Sequence, residues 1–478
     1  MRRVDFRCDL SGHRLALRPV WEHTIGSGHA TLALRADWQA QLRRCHAELG
    51  IRRVRFHGLL SDDLGTFVRH GNEPVYSFFN AERIWDFLVA AGMQPFVELS
   101  FMPLALASGQ KKVFKYAGNI TPPRRMDDWA KLIRRLGRHA VNRYGVPEVS
   151  EWNFEVWNEP NLKAFWTGTR KNYFDLYAVT ARALKEVDSM LRAGGPATAE
   201  NAWLEDFLDF SSRRRVPVDF VSTHFYPTDT TQKVSDNTLE QLAAGRRGIL
   251  REAASAARTS VGDLPLYYTE WNTSSNQRDS LHDEPYAAAF VARTLLDVAH
   301  VVDAYSFWTF TDIFEELYFP SLPFHGGFGL LTLHGVAKPT YRAFELLHHF
   351  GSELIVPVDG LHPTVECHVA AEASRTNVLL TNHALPRQEL ETVVVRLRLD
   401  SAHNIHRATV TRIDDDHANP KRTWIEIGSP ESLSQRQLTQ LHDASALTAE
   451  PLDFVLEDGT LTCELTVPGH GVAMVTLQ

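Results

Sequence analysis

Two glutamates far apart in the chain sit in surroundings suited to acid–base and nucleophilic chemistry. Glu159 belongs to NFEVWNEPNL (153–162), where the apolar residues Phe154, Val156 and Trp157 stop at a polar triplet and a proline. Such a run reads as a buried strand ending at a loop. It would point Glu159 out of the strand's carboxyl end, among aromatic rings. Burial disfavours a charged carboxylate and raises its proton affinity, which a general acid for acetal cleavage requires. One carboxyl group cannot complete that reaction, so a second is needed. Glu270, in LYYTEWN (266–272), ends another strand-like segment and, like Glu159, has Trp and Asn beside it. Each glutamate alone reads equally well as a solvated loop residue. The repeated context at two strand ends favours one shared site.

Other side chains cluster at similar positions. In STHFYP (222–227), His224 and Tyr226 are two apart and face the same way on an extended chain. As donors to Glu270 they would keep it ionised; the alternative is a histidine and a tyrosine of the core. RFHG (55–58) ends a further strand, and His57 fits either a bond to a sugar hydroxyl or an internally satisfied imidazole. After FWTFTD (307–312) come Glu315 and Glu316. Trp308 offers a flat apolar face for a sugar ring, and the two glutamates suit vicinal hydroxyls unless they form a charged, solvated loop. HGGFG (325–329) is glycine-rich and suited to line the same mouth. Glu98 and Glu155 lie within or late in their strands and are expected to face the barrel interior or brace other groups. Asp414-Asp415-Asp416-His417 lacks the spacing of a calcium loop and reads as a turn with capping carboxylates. Arg213-Arg214-Arg215 reads as a solvated helix end.

The elements that must hold these residues alternate. Strand-like segments fall at Leu15–Trp21, Ile51–His57, Gln94–Phe101, Asn153–Trp157, Ala193–Ala199, Val218–Phe225, Pro265–Trp271 and Ala304–Thr311. Helix-prone stretches separate them: Ala81–Ala91, Met126–Asn142, Tyr173–Leu191, Leu239–Ala257, Pro285–His300 and Lys338–Phe350. This rhythm predicts a parallel sheet closed as a (β/α)8 TIM barrel, whose chemistry sits at the carboxyl ends of the strands. No glycine-rich turn follows the first strand, as a nucleotide-binding open sheet would show. After about Gly351 the helices cease. Strand-like runs at Thr364–Ala370, Asn377–Asn382, Thr392–Leu399, Ala408–Ile413, Leu461–Val467 and Val472–Leu477 predict an all-β sandwich. Helix-prone Glu431–Asp443 is an insertion in it. Three segments are expected: 1–13, an edge strand of the sandwich; 14–351, the catalytic barrel; and 352–478, the sandwich itself.

A length of 478 residues accommodates one large and one small domain. A net charge of -8 argues against an electrostatic nucleic-acid binder, which would usually show a basic patch. No run of about 18 apolar residues exists to span a membrane, and the N-terminus lacks the apolar core of a secretory signal. Cys8, Cys45, Cys367 and Cys463 are scattered, without the spacing of a zinc or redox motif. They fit buried thiols in a reducing, cytoplasmic setting.

The strings HGLLSDD (57–63), ELSFMP (98–103), GNITPP (118–123), EVWNEPNL (155–162), STHFYP (222–227), YTEWN (268–272), FWTFTDIFEE (307–316), FHGGFGL (324–330) and HANPKRTW (417–424) together resemble glycoside hydrolase family 39, the β-xylosidases, with α-L-iduronidases as more distant members. The resemblance spans nearly the whole chain. It implies a retaining glycosidase that removes terminal β-D-xylose from xylo-oligosaccharides or another small glycoside, with Glu159 as acid/base and Glu270 as nucleophile. It further implies that Asn158, His57, His224, Tyr226, Trp308, Glu315 and Glu316 line the sugar site, with Phe114 in KVFKY as an apolar wall. It implies no metal and no organic cofactor, and family members often form homo-oligomers. Uronide or arabinoside hydrolysis and a catalytically silent sugar-binding protein are the competing readings.

Overall fold

The computed structural model describes residues 2–71, 73–372, 375–403 and 405–478. The positions between these spans, and residue 1, fall within the three expected segments and lie outside the described residues. Eight parallel strands close into a barrel in sequential order: Ile25–His29, Arg53–His57, Gln94–Glu98, Asn153–Glu155, Arg192–Thr198, Phe220–His224, Leu266–Trp271 and Ala304–Phe307. Strands covered on both faces are buried along their whole length, and every residue of the second, fourth, sixth, seventh and eighth strands is buried. Phe96, Phe220, Tyr267 and Ala304 pack together inside the barrel. Side chains alternate along a strand, so Glu98, Ser222 and Thr269 follow those residues onto the inner face one layer nearer the carboxyl ends, and His224 follows one layer beyond Ser222.

The first barrel strand is not Leu15–Trp21 as expected, but Ile25–His29. Its IGSGH sequence carries almost no apolar signal. The glycines are required by contacts from the eighth strand and its loop: a Cβ on Gly26 would stand 2.4 Å from Trp308 Cε3. The outer helices follow the sequence more closely. Met126–Tyr144 buries Trp129, Leu132, Ile133, Leu136 and Ala140 along one stripe. The stretch expected as one helix over 239–257 is two, Thr238–Ala243 and Ile249–Val261, parted by Gly245 and Gly248. Among the described residues, no helix is long and apolar enough to cross a membrane.

The second region is a ten-stranded, mostly antiparallel sheet. It folds over on itself: Val378, Leu380 and Val475 from one half share a core with Val395, Leu397 and Leu465 from the other, as in a sandwich. The opening strand, Arg2–Ala16, is not at the edge of this sheet. It lies inside, antiparallel to Glu353–Asp359 and parallel to Val393–Asp400. Val4, Phe6 and Cys8 alternate into the core. Two helices, Pro420–Glu426 and Gln435–Ala444, are inserted in this region, and their Trp424 and Leu441 pack on Phe324 and Val336 of the barrel. The Asp414 carboxylate accepts the backbone N–H groups of Asp416 and His417, so this acidic run is a capped turn.

Candidate active site

The fourth strand stops at Glu155, and the chain then turns sharply. Trp157 and Glu159 both have left-handed backbone, with φ of 74° and 43°, a conformation that costs a non-glycine residue about 1–3 kcal/mol. The turn is held by Glu159 N–H donating to Ala197 O at 2.8 Å and by the buried Trp157, whose Nε1 donates to Phe165 O at 2.9 Å. It delivers Glu159 to the mouth. The seventh strand reaches the same place differently. Strict alternation would put Thr269 and Glu270 on opposite faces, but the pairing shifts register here on both sides. This bulge-like irregularity re-aims the chain, so that Thr269 donates to Glu155 Oε1 at 2.8 Å and Glu270 also reaches the interior.

There the two carboxyl groups meet. One oxygen of Glu159, one of Glu270 and a ring nitrogen of His224 all lie within 4.8 Å of one another. Carboxyl groups about 5–5.5 Å apart suit double displacement at an anomeric carbon, whereas inverting pairs stand about 6.5–9.5 Å apart.

The two glutamates have unlike environments. Glu270 Oε1 accepts from Arg55 Nη1 at 2.8 Å, and its Oε2 accepts from Tyr226 Oη at 3.1 Å. Among the described residues, no guanidinium pairs with Glu159. Burial, the largest influence, raises its proton affinity to a pKa of about 7, against the pull of His57 and Arg55. His224 Nδ1 is 3.0 Å from Glu159 and 3.7 Å from Glu270. The histidine expected to serve Glu270 therefore bonds to Glu159 instead. Its other nitrogen meets Thr269 Oγ1 at 3.0 Å, and burial lowers its pKa to about 4, keeping it neutral.

Arg55 is the hub that sequence reasoning left without a role. It is fully buried and also donates to Glu155 at 2.6 Å, pairs with Glu98 at 2.8 Å and donates to the Asn158 carbonyl oxygen at 2.9 Å. Its signal was its position two residues before His57 on one strand, which places both on the same face. With its side-chain oxygen taken by Arg55, Asn158, which lines the cavity, has its amide N–H groups left for another acceptor. Burial opposes a charge on His57, but the carboxylates of Glu98, Glu316 and Glu270 outweigh it and raise its pKa to about 9. His57 Nδ1 lies 2.7 Å from Glu98, and Nε2 lies 3.6 Å from both Glu270 and Glu316.

These groups open into a cavity of about 260 Å³. His57, Phe114, Asn158, Glu159, Tyr226, Glu270, Trp308 and Glu316 line it. His224 stands behind the carboxylates. Glu315 does not join the cavity: it turns to Arg35, with Nη1 3.1 Å from its Oε1, while Glu316 turns inward. Burial raises the Glu316 pKa to about 8. Among the described residues, Glu159, His224 and Glu270 are the group close enough to share a metal ion. Arg55 and the charged His57 already supply positive charge there and would repel one.

The sequence profile of Glycosyl hydrolases family 39 matches residues 7–461. The chain belongs to this family. It is 46% identical over 473 residues to the β-xylosidase of Caldicellulosiruptor saccharolyticus, covering 98% of this chain and 97% of that one. It is 37% identical to the β-xylosidase of Geobacillus stearothermophilus, covering 91% and 88%. The solved family 39 β-xylosidase of Caulobacter crescentus superposes with a TM-score of 0.84 at 33% identity, over 99% of both chains. The barrel and folded sheet of this family 39 chain are thus the architecture of its solved relative.

Proposed function

We infer that this chain is a retaining β-xylosidase that removes terminal β-D-xylose from xylo-oligosaccharides. The observation that carries the reading is the pair of carboxyl groups within 4.8 Å, one paired with a guanidinium and the other with raised proton affinity. Glu270 attacks the anomeric carbon as the bond to the leaving oxygen breaks, and protonated Glu159 gives its proton to that oxygen. Glu159, now a carboxylate, takes a proton from water, which attacks the glycosyl ester and releases the sugar with retained configuration. The Asn158 amide, its oxygen taken by Arg55, donates to the 2-hydroxyl, a bond that strengthens as charge develops on the ring. His57 and Glu316 hold further hydroxyls, and Trp308 and Phe114 bound the ring.

Xylosides are favoured over uronides by the relatives named above and by the walls themselves. Among the described residues no lysine or arginine lines the cavity to meet a sugar carboxylate. We take the barrel to be the catalytic unit. A reducing, cytoplasmic setting accords with four free thiols, three of them buried.

A 2-fluoro-β-xyloside with a good leaving group tests the mechanism. The intact mass should rise by one fluoroxylosyl group, carried on the peptide containing Glu270. Labelling elsewhere, or full turnover in Glu270→Ala, would sink it. Glu159→Ala should still form the intermediate from activated aryl xylosides and release it slowly, by about 10²–10⁴-fold.

A further inference from the structure

The cavity extends beyond the groups used above. Because Glu159 protonates the leaving oxygen, the leaving group must lie on the Glu159 side, over the loops that follow the fourth, fifth and sixth strands. Three features meet there. Leu162 and Phe165 give an apolar face, and Glu200 and Asp229 stand at its edges. Apolar faces with a few placed polar groups are the usual form of a small-molecule site.

The backbone carrying Glu200 is held in place. Glu200 and Asn201 have φ of 61° and 55°, in the left-handed region that side chains seldom adopt. Asn161 brackets the segment, accepting from Ala199 N–H at 2.9 Å and donating to Ala199 O at 3.1 Å. Asn201 accepts from Tyr268 Oη at 2.8 Å and donates to Ala253 O at 2.9 Å. Yet the Glu200 side chain itself lies exposed at the mouth and is fixed by none of these bonds. Strained backbone that neighbours over-determine is a mark of functional positions. Asp229 is half committed: its Oδ2 accepts Tyr226 N–H at 2.8 Å, while Oδ1 has only a long contact of 3.4 Å from Gln232.

We propose that Glu200, assisted by Asp229, binds the hydroxyls of the leaving sugar and makes the enzyme selective for a pyranose leaving group over an aryl one. This rests on the xylosidase reading above. A carboxylate accepts from two adjacent hydroxyls at once, and an aryl leaving group offers none.

The test compares xylobiose with 4-nitrophenyl β-D-xyloside in Glu200→Ala and Glu200→Gln. The ratio of kcat/KM for xylobiose to that for the aryl xyloside should fall at least tenfold in Glu200→Ala, mostly through KM for xylobiose. Glu200→Gln keeps an acceptor but loses the same charge, so its ratio should fall less. An unmoved ratio in Glu200→Ala overturns the proposal, as does an equal fall in both variants, which would mean that only the charge matters. Asp229→Asn should also lower the ratio. A role limited to holding the Tyr226 turn would instead slow both substrates together. Wild-type protein inactive on both substrates would sink the xylosidase reading itself, whereas wild-type cleavage of the aryl xyloside alone would overturn only this proposal.

Discussion

Two buried charge networks lie within the barrel, and they are finished differently. Around Lys338, Asp283 and Asp312, side-chain exposure is 0–1% and each charged group is fully used. Lys338 Nζ reaches Asp283 at 2.6 Å, Asp312 at 2.8 Å and Gly327 O at 2.9 Å. The remaining oxygens accept backbone N–H groups of Gly326 and Gly329. Around Arg55 the carboxylates of Glu98, Glu155 and Glu270 are also gathered by one cation. This network, however, ends at a cavity, with Glu159 and Glu316 on its rim and their proton affinities raised by burial. Both networks bear the desolvation cost of buried charge. The sealed one uses its ions to join loops. The open one leaves acceptors and a proton at the surface where a substrate can take them.

The contrast is testable from its largest consequence downward. Arg55→Met should lower turnover of an aryl xyloside by about 10³-fold or more, since a charged donor is removed from the nucleophile, while circular dichroism still reports a folded chain. Lys338→Met should leave two uncompensated buried carboxylates and lower the unfolding free energy in denaturant by about 3–5 kcal/mol. Turnover of its folded fraction should change far less than in Arg55→Met. Equal losses of turnover in the two variants, with stability intact, would erase the distinction between the networks. The smallest effect is on pH. Glu159 must be protonated to act as acid and has a pKa of about 7, so kcat/KM should fall on the alkaline side, about tenfold per pH unit once well above 7. Glu159→Gln should lose that limb.

The sequence made the alternation, the two carboxyls and most of the cavity wall legible, because buried strands and their polar ends leave a local pattern. What it hid was set by distant contacts. Ile25–His29 is a strand through its pairing with the second and eighth strands, and its Gly26 leaves the space that Trp308 fills, which no short window records. The place of Glu270 depends on a register shift between neighbouring strands. Glu315 and Glu316 are adjacent and alike, and only the position of Arg35 decides which turns away. Arg55 carried a readable clue in its spacing to His57, but its value as a hub depends on Glu98, Glu155, Asn158 and Glu270 arriving from three other strands.

The interior position of Arg2–Ala16 ties the two ends of the molecule together. Its partners, Glu353–Asp359 and Val393–Asp400, are synthesised only after the entire barrel. Until then Val4, Phe6 and Cys8 have no cover, and the earliest segment must wait for the latest. A cut near residue 351 would therefore not liberate a self-sufficient C-terminal piece: that piece would lack the strand joining its two halves. Losing a dozen residues from the front would open the far end of the protein and leave the distant catalytic groups untouched at first.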